Sequence, residues 1–168
     1  EIGILWMAMS FLLNYLNVPA LIYGLVMCAL PYLATGFMHL DGFMDVSDAI
    51  GSYRDLEKRR AILKDSHVGA FAVVWSIFLI LAAFAAFASA KGNAPAWLLL
   101  MIPMLSRCCS ALAVMKLKPM NTSQYAGNNS YPGWHSIVLG ILIAGSIGAG
   151  FGLCGKYGFV LAAGILGY

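Results

Sequence analysis

Three aspartates, Asp41, Asp45 and Asp48, stand at i, i+4 and i+7. On a helix turning about 100° per residue, their side chains fall within roughly 60° of one another. Carboxylates gathered on one face repel, and each costs about 2.5–3.5 kcal/mol if carried toward a bilayer centre. A divalent cation among them relieves the repulsion. Magnesium suits the set, because it takes carboxylate oxygens, keeps several waters and bridges protein carboxylates to substrate phosphates. The competing reading is a solvated acidic helix start, where negative charge is favoured in any case. His39 lies two residues before Asp41, and i and i+2 point apart on a helix. It is therefore a candidate general base or hydrogen-bond donor to substrate, or else a boundary histidine facing lipid headgroups. Farther on, Lys64 and Ser66 have the chemistry to hold phosphate oxygens, and Asp65 could complete a metal site or accept a proton. Arg107 is the one charge well inside an apolar run, where an arginine is a candidate for an ion pair with the acidic cluster or a grip on a diphosphate.

These residues sit in a chain of membrane composition. Of its 168 residues 61% are hydrophobic and only 10% charged, against roughly 25% charged in soluble domains. The expected fold is all-α: a single polytopic helical membrane domain over residues 1–168. Six of the seven acidic residues lie between His39 and Gly69, together with five of the ten basic ones. A net charge of +3 is too small to suggest a nucleic-acid partner. The cysteines, Cys28, Cys108, Cys109 and Cys154, lie in apolar runs without a C-x-x-C or zinc-ligand spacing, and read as small buried residues.

Ile2 to Met38 carries no charge and is too long for one span of about 20 residues. The turn-forming Asn14–Pro19 divides it into helices at about 2–14 and 19–38. Further spans are expected at about 68–90, 95–115 and 134–154, with a sixth starting near Tyr157, making about six in all. Both ends of the chain read as cut within a span. Residues 52–65 read as a helix near the interface, with Ser52 and Asp55 as a capping box and ion pairs Asp55–Arg59 and Glu57–Arg60 on a solvated face. Of the lysines and arginines in the loops, seven fall in 39–67 and 116–133, against Lys91 and Lys156 on the other side. By the positive-inside rule the acidic segment faces the cytoplasm.

HLDGFMDVSDA followed by LKDSHVGAFA resembles the signature of the cobalamin 5′-phosphate synthase (adenosylcobinamide-GDP ribazoletransferase) family. The family pattern is G-x-x-H-x-D-G-x-x-D-x-x-D and then K-D-S-x-x-G-x-F. Gly36, His39, Asp41, Gly42, Asp45, Asp48, Lys64, Asp65, Ser66, Gly69 and Phe71 match it. Phe37 and Ala49 stand where members commonly have glycine. Members also run longer, with a Gly/Thr/Asp-containing motif near the C-terminus that this sequence lacks. The resemblance implies a magnesium-dependent multi-pass enzyme of a bacterial or archaeal cytoplasmic (inner) membrane, acting late in vitamin B12 synthesis. Its implied substrates are adenosylcobinamide-GDP and α-ribazole or its 5′-phosphate, with GMP released. It implies Asp41, Asp45 and Asp48 as metal ligands, His39 or Asp65 as the base, and Lys64, Ser66 and Arg107 as phosphate-binding groups.

Two other classes remain in view. A transporter would spread charges near mid-span over several helices, whereas here they share one segment. A CDP-alcohol phosphotransferase would follow Asp41-Gly42 with Ala-Arg and a D-x-x-x-D run, which this sequence does not.

Overall fold

The computed structural model describes residues 2–116 and 133–154, with side chains in the second stretch for residues 134–145. The described residues form seven helices joined by turns, without strands: α1 (Ile2–Tyr15), α2 (Ala20–Ala34), α3 (Met38–Gly51), α4 (Leu56–Ile62), α5 (Ala70–Ala90), α6 (Leu98–Lys116) and α7 (Gly133–Cys154). Contacts divide the chain into two compact units. One is Ala8–Asn93; the other joins residues 2–7 to the described residues from Ala94 onward.

Helices α5, with 21 residues, and α6, with 19, are long and apolar enough to cross a membrane. At 14 residues, α1 rises about 21 Å, short of a hydrocarbon core about 30 Å thick. Among the described residues the span count is thus two, or three if α2 and α3 are taken together. The expected sixth span, the 116–133 loop beyond Lys116 and Lys156 lie outside the described residues.

The second expected helix, 19–38, ends early. Its last turn carries Pro31, and the Thr35 hydroxyl donates back to the Pro31 carbonyl at 2.8 Å. Phe37 N–H then bonds Tyr32 O at 2.8 Å and Gly36 N–H bonds Leu33 O at 3.3 Å. With Gly36 at φ +59° this is a Schellman stop, in which glycine takes the left-handed position without a Cβ penalty. Phe37 is left-handed too, at φ 63°. Two such residues in succession turn the chain, and α3 leaves α2 at 90°. The three aspartates are thus carried on a helix set at right angles to α2.

In the Ala8–Asn93 unit α5 packs along both α2 and α3. Cys28 lies against Ile80, its thiol 3.6 Å from that carbonyl, while Gly24 lies against Phe84 and Ala88, so α2 and α5 run antiparallel. A buried Ser10–Tyr23 hydroxyl pair at 2.8 Å joins α1 to α2. Lys91, just past α5, donates to the Val18 carbonyl between α1 and α2. This arrangement leaves α3 held at the N-terminal end of α5. In the other unit α6 packs on α7.

Candidate active site

The three aspartates do share one helix, but not one environment. Asp41 sits in the first turn of α3, exposed, where the helix dipole favours its charge. Asp45 and Asp48 are half-buried. Burial first, and then the charges of Asp41 and Asp48, raise the Asp45 carboxyl above its ordinary value. Both neighbours therefore add to a local excess of negative charge centred on Asp45.

Asp48 meets a different set of partners. Its Oδ2 accepts the Gly69 N–H at 2.6 Å and its Oδ1 accepts the Ala72 N–H at 2.9 Å. Those amides belong to the first turn of α5, so the side chain ties the acidic helix to the residues that open the next one. Gly69 is required by the approach: a Cβ there would stand 2.5 Å from Asp48 Oδ1.

Between α4 and α5 the chain carries Lys64, Asp65, Ser66 and His67, all exposed. Asp65 Oδ1 accepts the His67 N–H at 3.1 Å and lies 2.5 Å from His67 Nδ1. The hydrogen bonds from His67 hold the Asp65 carboxyl below its ordinary value, and the same carboxylate raises the His67 imidazole. His67 was missed in the sequence, although the Asp-Ser-His run was a signal: a carboxylate two residues before a histidine can close an Asx-type turn onto it. His39 is half-buried in the first turn of α3.

The surrounding polar face differs in detail from the expectation. The helix expected over 52–65 is the shorter α4. Asp55 is its N-cap, accepting the Lys58 N–H at 2.9 Å, and it pairs with the Lys58 ammonium at 3.1 Å instead of with Arg59. Ser52 instead closes α3, its hydroxyl donating to Ala49 O at 2.8 Å. As N-cap, Asp55 turns its carboxylate onto the N3 residue, Lys58, and meets both its amide and its ammonium there instead of the Arg59 guanidinium one turn on. Arg107 belongs to the other unit. It lines a cavity of about 750 Å³ with Ile2, Gly3, Leu100, Pro103 and Cys108.

Among the described residues no group of three or more His, Cys, Asp or Glu side chains is arranged to hold a metal ion. A magnesium site needs less than that, since one or two carboxylates with water and substrate phosphates suffice. Asp41 and Asp45, one turn apart and with no hydrogen-bond partner for their carboxylates among the described residues, fit that donor set. After burial, the charges of Asp41 and Asp48 are what raise the Asp45 carboxyl, and that repulsion is what a cation would relieve.

Comparison with known proteins bears on what this arrangement serves. The family model for cobalamin-5-phosphate synthase matches residues 1–168. The adenosylcobinamide-GDP ribazoletransferase of Clostridium perfringens (strain SM101) is 43% identical over 126 residues, covering 74% of this chain and 50% of that protein. Proteins of the same name from Geobacillus kaustophilus and Corynebacterium diphtheriae are 38% and 33% identical, each over 74% of this chain and 48% and 46% of their own length. The chain thus spans about half the length of these curated relatives. No solved structure matches it. The chain belongs to the cobalamin-5-phosphate synthase family.

Proposed function

We propose that this chain carries the acidic site of a membrane-embedded transferase that joins a ribazole to adenosylcobinamide-GDP. In this reaction a ribose hydroxyl of α-ribazole, or of its 5′-phosphate, attacks the cobinamide-linked phosphorus of the diphosphate. A new P–O bond forms, the diphosphate P–O bond breaks, and GMP leaves with the bridging oxygen. The relatives' shared name supports the substrates. The observation that carries the site is the Asp48 contact with Gly69 and Ala72, which holds the α3 carboxylates and the Lys64–His67 segment at one end of α5.

Asp41 and Asp45 are the groups that would hold magnesium. When bound there, the ion neutralises charge developing on the diphosphate oxygens. Lys64 and Ser66 offer an ammonium and a hydroxyl to phosphate oxygens from an exposed loop. Asp65 and His39 are the candidate acceptors for the hydroxyl proton, with Asp65 kept anionic by His67. The bias of Lys and Arg in the loops supports a topology with this face toward the cytoplasm. It places the carboxylates on the side where nucleotides and magnesium are found.

The deciding assay uses the full-length protein in detergent with adenosylcobinamide-GDP and α-ribazole, with and without magnesium, following GMP. Release of GMP coupled to ribazole attachment is expected with magnesium only. GMP release at the same rate after chelation would remove the metal from this reading, and no release under any condition would remove the activity.

A further inference from the structure

We propose that Asp48 is a positioning residue: it straps the Lys64–Gly69 segment to α3, and magnesium is held without it. The second half rests on the magnesium reading above; the first stands on geometry alone. Helix α5 has an unusual start. Its N-cap is Gly69, in extended conformation at φ −88° and ψ 171°, which has no side chain to cap anything. An N-cap Ser, Thr, Asp or Asn would ordinarily accept the N–H three residues on. Here that amide, Ala72 N–H, is taken by Asp48 from 24 positions earlier, and the N-cap's own N–H is taken by the other oxygen of the same carboxylate.

A local cap would fix only α5. A distant one also fixes where α5 begins relative to α3, and hence where the segment that leads into Gly69 starts from the acidic helix. The steric arrangement enforces the exchange. Any Cβ at position 69 would lie 2.5 Å from Asp48 Oδ1 and 2.7 Å from its Cγ, so a side chain at 69 and the strap exclude each other. The backbone of residue 69 is one that any residue adopts. Glycine is therefore needed there for room, not for backbone freedom. Each Asp48 oxygen already receives an amide at a helix N-terminus, where negative charge is stabilised. Among the described residues Asp41 and Asp45 have no such partners, so the cation's best ligands are these two.

The test uses full-length protein, metal-free, carrying Asp48→Asn, Gly69→Ala or Asp45→Asn. Amide hydrogen exchange is read over residues 64–72, and Mn²⁺ affinity is read by electron paramagnetic resonance with Mn²⁺ alone as probe. Asp48→Asn puts an NH2 group against one amide, and Gly69→Ala drives a methyl into the carboxylate without altering any charge. Both are expected to speed exchange of the Gly69 and Ala72 amides about tenfold or more. Exchange in α6 should not change, and Mn²⁺ affinity should stay within about threefold of wild type. Asp45→Asn is expected to do the reverse, weakening Mn²⁺ about tenfold and leaving exchange unaltered. Should Asp48→Asn fail to fold, Gly69→Ala carries the exchange arm by itself. Unaltered exchange in Gly69→Ala overturns the strap. Loss of Mn²⁺ affinity in Asp48→Asn equal to that in Asp45→Asn overturns the claim that the metal is held without Asp48. A wild-type protein that binds no Mn²⁺ sinks the magnesium reading and that second claim with it, while the exchange arm still decides the strap.

Discussion

Replacing Asp45 with asparagine should make the metal-free protein more stable and the magnesium-loaded protein less so. The Asp45 carboxyl is raised above its ordinary value of 3.8 by burial and by Asp41 and Asp48. A group raised on folding contributes stability that is fully present below its unfolded value and lost as pH rises through the folded one. At neutral pH the charged Asp45 therefore opposes folding. Its like-charge pairs with Asp41 (i, i−4) and Asp48 (i, i+3) each cost about 0.2–0.5 kcal/mol on a helix, so removing both recovers roughly 0.4–1 kcal/mol. Half-exposure and salt reduce this, so the effect is larger at low ionic strength. Asparagine keeps the size and one acceptor oxygen. In EDTA the variant should unfold about 2 °C higher. Magnesium at 100 times its Kd stabilises the native protein by about 2.7 kcal/mol, and a variant that binds it tenfold more weakly forgoes about 1.3 kcal/mol of this at the same concentration. The order of the two melting temperatures should then invert. Thermal unfolding of detergent-solubilised protein, followed by tryptophan fluorescence in EDTA and in excess magnesium, measures both. A variant less stable than wild type in EDTA would mean that Asp45 makes a favourable contact, and equal magnesium stabilisation of both proteins would mean that it is no ligand.

Ser10→Ala should cost about 1–3 kcal/mol by orphaning the buried Tyr23 hydroxyl, and adding Tyr23→Phe should recover much of it; denaturant unfolding of the two single variants and the double variant checks the cycle. The Asp65–His67 pair should be complete only in a window. The His67 share is present below its ordinary 6.5 and lost as pH rises through its raised folded value. The Asp65 share is present above 3.8 and lost as pH falls through its lowered value. An NMR titration of His67 should shift to lower pH in Asp65→Asn, and no shift would refute the pairing. A single cysteine at Ser52 should be labelled only from the cytoplasmic face and one at Asn93 only from the other; labelling of both from one face would break the topology.

The helix that carries the candidate site was legible in the sequence because its signals are local. The i, i+4, i+7 spacing of Asp41, Asp45 and Asp48 needs only helix geometry to predict a shared face, and α3 realises it. The apolar runs at 68–90 and 95–115 became α5 and α6 within a few residues, since length and hydropathy alone decide a span. What spacing could not reveal was where charge and backbone meet across distance. The uncharged run up to Met38 looks continuous in composition, yet it stops at Ala34, because two left-handed residues, Gly36 and Phe37, turn the chain through 90°. Asp48 looks like a third copy of Asp41 and Asp45. Only packing of α3 against the start of α5 brings Gly69 and Ala72 amides to its oxygens. A free amide at a helix N-terminus must find an acceptor, and tertiary structure alone determines which carboxylate lies within reach.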